Sequence, residues 1–113
     1  MPHAVIEYSA GIEEFYDPHV LCGRVFAALA AQAAIPDATT LKVRAIAVEA
    51  WQNGTDPQSF AHATLSLLPG RDQATKDALA ACILAALVAE MPDVGSLSVD
   101  VRELNPAYTK RVL

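Results

Sequence analysis

The chain has 113 residues, 53% of them hydrophobic and 19% charged, with a net charge of −5. That length and composition suit one compact domain, residues 1–113, with a buried core, and exclude a disordered chain. The acidic balance and the lack of any basic run argue against a nucleic-acid partner, and the longest apolar stretch, Leu79 to Val88, is about half of a membrane span.

The chain opens Met1-Pro2-His3-Ala4-Val5-Ile6-Glu7-Tyr8, and Pro2 to Tyr8 reads as a first strand. Loss of Met1 would turn the Pro2 nitrogen from an amide into a secondary amine, a base and a nucleophile held by that strand. Many chains also begin Met-Pro for no catalytic reason. A loop, Ser9 to Tyr16, leads to Asp17-Pro18, a helix start with Asp as N-cap and Pro at the first helical position. The expected helix runs to Ala34, with Leu21, Val25, Ala28, Leu29 and Gln32 on one stripe, and Ile35-Pro36-Asp37 ends it.

A second strand is expected over Thr40 to Ala50. Leu41, Val43, Ala45 and Ala47 should lie under a helix, leaving Lys42, Arg44, Ile46 and Val48 on the opposite face. The polar stretch Gln52 to Pro57 closes this half. A third strand spans Ser59 to Leu68, and Pro69-Gly70-Arg71 breaks it. Asp72 caps a second helix to Glu90, with Leu79, Ile83, Leu84, Leu87 and Val88 as its buried stripe. Leu97 to Glu103 forms a fourth strand, and the tail from Asn105 to Leu113 has no pattern.

The order repeats as strand, helix, strand over residues 2–52 and 58–104. The expected fold is α/β: two β-α-β repeats, each a right-handed parallel crossover, on a four-stranded mixed sheet with both helices on one face. The other face carries Ile46, Val48 and further apolar residues, so an oligomer should cover it. His3, His19 and His62 have no metal-ligand spacing. Cys22 and Cys82 read as small core residues, and the start lacks a charged leader and an apolar h-region, so the expected setting is the cytoplasm.

The segment from Leu67-Leu68-Pro69-Gly70-Arg71-Asp72 to Val99-Asp100-Val101 resembles the short 4-oxalocrotonate tautomerases. The whole chain resembles the 5-carboxymethyl-2-hydroxymuconate isomerase family, a double-length branch of the tautomerase superfamily. The resemblance rests on Met1-Pro2-His3, Glu7-Tyr8-Ser9, Lys42-Val43-Arg44, Trp51-Gln52, Phe60-Ala61-His62, Gly70-Arg71 and Glu103-Leu104-Asn105-Pro106 in that order. It implies a homotrimer with sites near subunit boundaries. It also implies cofactor-independent, metal-free isomerisation of an unsaturated 2-hydroxy acid, foremost 5-carboxymethyl-2-hydroxymuconate in homoprotocatechuate breakdown. The superfamily's catalytic proline matches Pro2, its strand arginines match Lys42 and Arg44, and its Gly-Arg matches Gly70-Arg71. Lys42 departs from the pattern: it keeps the charge and loses the bidentate fork. The two halves hold complementary parts, because Asp100 stands in the second half where Arg44 stands in the first, and only the second half has a Gly-Arg directly after its opening strand.

The implied chemistry makes Pro2 the proton carrier. Burial and nearby cations would lower its amine toward neutral pH. Lys42, Arg44 and Arg71 would hold carboxylates and stabilise a dienolate. Other readings stay open. Arg44 and Arg71 also read as solvated surface charges, His62 as a satisfied core histidine and Trp51 as a packing residue. The scaffold equally admits phenylpyruvate-type tautomerisation, hydration or decarboxylation of small oxo acids, or an oligomeric binding protein whose proline is never freed.

Overall fold

The computed structural model describes residues 1–113. Strand β1 (His3–Ser9) leads through a 3-10 turn (Ile12–Glu14) to α1 (Pro18–Ala30), and a second 3-10 turn (Ala38–Thr40) precedes β2 (Lys42–Val48). Strand β3 (Phe60–Leu67), helix α2 (Gln73–Glu90) and β4 (Ser96–Glu103) repeat the motif. The sheet order is β2-β1-β3-β4; β1–β2 and β3–β4 are parallel, and β1–β3 is antiparallel. This is the α/β architecture expected from the repeat. No helix is long and apolar enough to cross a membrane.

Both helices begin as their capping residues dictate. The Asp17 carboxylate accepts from the His19 amide at 2.8 Å, with Pro18 at the first helical position. The Asp72 carboxylate accepts from the Thr75 amide at 2.8 Å. Helix α1 stops at Ala30, short of the expected Ala34. Pro36 disfavours helical geometry at Ile35 and would clash with the carbonyl of Gln32, so the chain turns earlier. The turn carries Ile35 into the core, where it is 3% exposed. Strand β2 also starts later than expected, because Asp37 caps the 3-10 turn by accepting from the Thr39 amide at 3.0 Å.

The core lies between the sheet and the two helices. It unites Ala4, Ile6 and Tyr8 of β1 with Ala61, Ala63, Leu65 and Leu67 of β3, and with Leu21, Val25 and Leu29 of α1. From α2 it takes Leu79, Ile83 and Leu87, a narrower stripe than expected, since Leu84 and Val88 are 38% and 49% exposed. Val43, Ala45 and Ala47 pack against this core, as the alternation of β2 predicts. The opposite sheet face is more polar than expected. Alternation places His3, Val5 and Glu7 there beside Lys42, Arg44, Ile46 and Val48, with His62, Thr64 and Ser66 and then Ser98, Asp100 and Arg102 across the sheet. Ile46 is 50% exposed on it.

Candidate active site

The topology gathers the charged candidates at one end of the sheet. His3 opens β1 and pairs in register with Lys42, which opens β2. Because β3 runs antiparallel, its last residues pair with the first of β1, His3 facing Ser66. β4 runs parallel to β3 and ends beside it, with Leu67 opposite Glu103 and the Leu104 amide bonded to the Leu67 carbonyl at 2.7 Å. The starts of β1 and β2, the Gly70-Arg71 turn and the tail therefore meet at one end.

Gly70 makes that turn with φ 125°, in the left-handed region that favours glycine. It delivers Arg71, whose Nη2 donates to the Ala34 carbonyl at 3.0 Å and whose Nη1 donates to the Leu68 carbonyl at 3.4 Å. Two neutral backbone acceptors orient the guanidinium without cancelling its charge. Lys42 and Arg44 stand two residues apart on the open face of β2. Lys42, Arg44, Arg71 and the tail's Lys110 form no ion pair, whereas Arg24, Lys76 and Arg102 are bridged to Glu90, Glu103 and Asp100.

Pro2 is buried one residue before β1, and its carbonyl accepts from the Lys42 amide at 3.0 Å. The amino group of Met1 lies one residue further out. Partial burial, then the charges of Lys110, Arg71 and Lys42, hold that amine below the ordinary α-amino value. Lys42 and Arg71 thus act on the chain's amino terminus together. Arg44 is set one step away: its Nη1 lies 3.3 Å from His3 Nδ1. It also borders an open cleft between α1 and β2 lined by Tyr8, Glu13, His19 and Cys22. Pro2, Lys42 and Arg71 line no cleft of the single subunit.

Three further residues belong to this surface. His3 Nε2 lies 2.9 Å from the Tyr108 hydroxyl, with the rings edge to face at 5.7 Å. After burial, the charge of Lys110 has the largest effect on the terminal amine. The parallel β3–β4 pairing is the signal for the tail residues, because it makes the chain leave β4 at the end of the sheet where β1 begins. The remaining residues with open readings have structural partners. His62 Nδ1 sits 2.7 Å from Ser98 Oγ, and Trp51 donates to the Gln58 carbonyl at 2.9 Å while packing edge to face on Phe60.

The sequence matches the family model of 5-carboxymethyl-2-hydroxymuconate isomerase over residues 2–111. None of the curated proteins compared with it matches. The structure is similar to that of a 5-carboxymethyl-2-hydroxymuconate delta-isomerase, with TM-score 0.84 and 18% identity over 99% of this chain and 88% of the other. It is also similar to a 5-carboxymethyl-2-hydroxymuconate isomerase from Deinococcus radiodurans R1, with TM-score 0.72 and 26% identity over 98% and 88%. A fused 4-OT protein, a symmetric trimer, superposes with TM-score 0.73 at 16% identity over 95% and 89%. The chain belongs to the 5-carboxymethyl-2-hydroxymuconate isomerase family.

Proposed function

We propose that this chain is a cofactor-independent isomerase of an unsaturated 2-hydroxy carboxylic acid, foremost 5-carboxymethyl-2-hydroxymuconate, acting in aromatic breakdown in the cytoplasm. The observation that carries the reading is the set of unpaired cations at the amino-terminal end of the sheet, in a chain whose net charge is −5. An acidic protein that concentrates unneutralised Lys42, Arg44, Arg71 and Lys110 beside its amino terminus has a local field suited to a small polyanion. The substrate named by the family is a tricarboxylate, which such a field would draw in and orient.

In this reading Met1 is removed and Pro2 supplies the amine. The burial and the cations that together hold the Met1 amine low would act on a Pro2 amine one residue away, favouring its neutral form. The neutral amine accepts the proton of the 2-hydroxydienoate and becomes an ammonium. The electrons left behind delocalise as a dienolate, whose charge Lys42, Arg44 and Arg71 stabilise. The ammonium then returns the proton to the distant carbon, and the amine is regenerated. A homotrimer would bring a neighbouring subunit against this end of the sheet, an arrangement that the trimeric fused 4-OT relative supports.

The experiment is a substrate panel on Met1-free protein: 5-carboxymethyl-2-hydroxymuconate, a simpler 2-hydroxydienoate and phenylpyruvate. Preference for the tricarboxylate supports the reading. Turnover of phenylpyruvate alone would move the assignment to another activity of the superfamily.

A further inference from the structure

The contacts of His3 carry an inference that deepens this reading and rests on it. The imidazole sits between two partners, the Arg44 guanidinium at Nδ1 (3.3 Å) and the Tyr108 hydroxyl at Nε2 (2.9 Å). Arginine has no acceptor, so Arg44 donates and Nδ1 must carry a lone pair. In a neutral imidazole the proton is then on Nε2, and Nε2–H donates to the Tyr108 oxygen. The phenol accepts, and its own proton is left for another acceptor. His3 is the sole side chain bonded to that hydroxyl.

We propose that His3 is a positioning residue that holds Arg44 and Tyr108 on either side of one neutral ring, and that the Tyr108 hydroxyl donates its remaining proton to a substrate oxygen. Residue 108 thereby becomes a substrate-contacting residue supplied by the tail. The tail is placed for this role, since it leaves β4 at the end of the sheet where β1 begins. The groups facing the ring favour the neutral form. Lys42 and Arg44 reach it from β2, the amino terminus from its own strand and Tyr108 from the tail, while its register neighbour on β3, Ser66, is uncharged. No carboxylate is bonded to it to stabilise an imidazolium.

The test has an arm that needs no turnover. Nitrogen-15 NMR of imidazole-labelled protein, with His3 assigned by its loss in His3→Gln, should give the Nε2–H tautomer at neutral pH. Arg44→Ala should move the His3 titration upward. The Nδ1–H tautomer, or a titration unmoved by Arg44→Ala, overturns the positioning role. In kinetics with 5-carboxymethyl-2-hydroxymuconate, Tyr108→Phe should lower kcat about tenfold with KM little changed, because the ring stays and only the donor is lost. His3→Leu should raise KM about tenfold by releasing Arg44. His3→Gln, whose amide can accept from Arg44 and donate to Tyr108, should recover most of that loss. Wild-type kcat in Tyr108→Phe overturns the donor role. An inactive wild type overturns the proposed function and the donor role together, while the tautomer still decides the positioning role on its own.

Discussion

The guanidinium of Arg71 donates to the carbonyl of Ala34 across 37 residues of chain, at 3.0 Å. This bond ties the turn after β3 to the loop before β2, so each half of the repeat helps set the same cation. Arg71→Ala should raise KM or lower kcat for a dicarboxylate by roughly tenfold to several hundredfold, the loss of a charge-assisted bond of about 1.5–3 kcal/mol. Arg71→Lys keeps the charge but cannot hold both carbonyls and a carboxylate with one fork, so it should recover only part of the loss. Lys42→Arg, which adds a fork, should be tolerated or improve activity. Unchanged constants in Arg71→Ala would return this residue to an ordinary loop charge.

Assembly is the second expectation. The half-exposed Ile46 on the uncovered sheet face calls for a partner. Light scattering at micromolar concentration should give three times the chain mass. A monomer that turns over substrate at full rate would contradict the shared site.

The corrected helix stripe makes a stability prediction. Ile83 is fully buried and Leu84, its neighbour on α2, is 38% exposed. Ile83→Ala should cost about 2–5 kcal/mol through lost burial and a residual cavity, and Leu84→Ala about 1 kcal/mol or less in the monomer. Denaturant melts of both variants check the order. An equal cost would mean that assembly buries Leu84 as well.

These residues also mark what was legible in the sequence. Asp17-Pro18 and Asp72 announced the helix starts because capping is local chemistry, readable from a few adjacent residues. The alternation in β2 announced which face Lys42 and Arg44 share for the same reason. The end of α1 was not legible, since the alanine-rich run 30–34 fits a helix as well as a turn, and the packing of Ile35 decided it. Leu84 and Val88 extend an apolar stripe that is wider than the contact area available to it. Arg44 and Arg71 were singled out by resemblance, but the contact of His3 with Tyr108 joins residues 105 positions apart, and no local pattern encodes it.

The pH dependence of stability follows from His3. Burial, then Arg44, Lys42 and the amino terminus, lower its pKa in the folded chain. The unfolded chain therefore binds more protons than the folded one between the ordinary imidazole value, about 6.5, and the lower folded value. Stability from this group is fully present above that ordinary value and is lost as pH falls through the folded one. The melting temperature of the wild type should drop more steeply over this window than that of His3→Gln. Parallel curves would mean that the fold does not resist charging this ring.

In the proposed mechanism the free amine of Pro2 carries the proton. Two preparations of one sequence, with and without Met1 and verified by intact mass, should be assayed on 5-carboxymethyl-2-hydroxymuconate across pH. The Met1-free protein should be active, with kcat/KM rising with pH through an amine pKa below that of an unperturbed secondary amine. The Met1-retaining protein, whose Pro2 nitrogen is an amide, should fold and assemble alike and show no proton transfer. Equal activity in the two preparations would remove Pro2 from the mechanism.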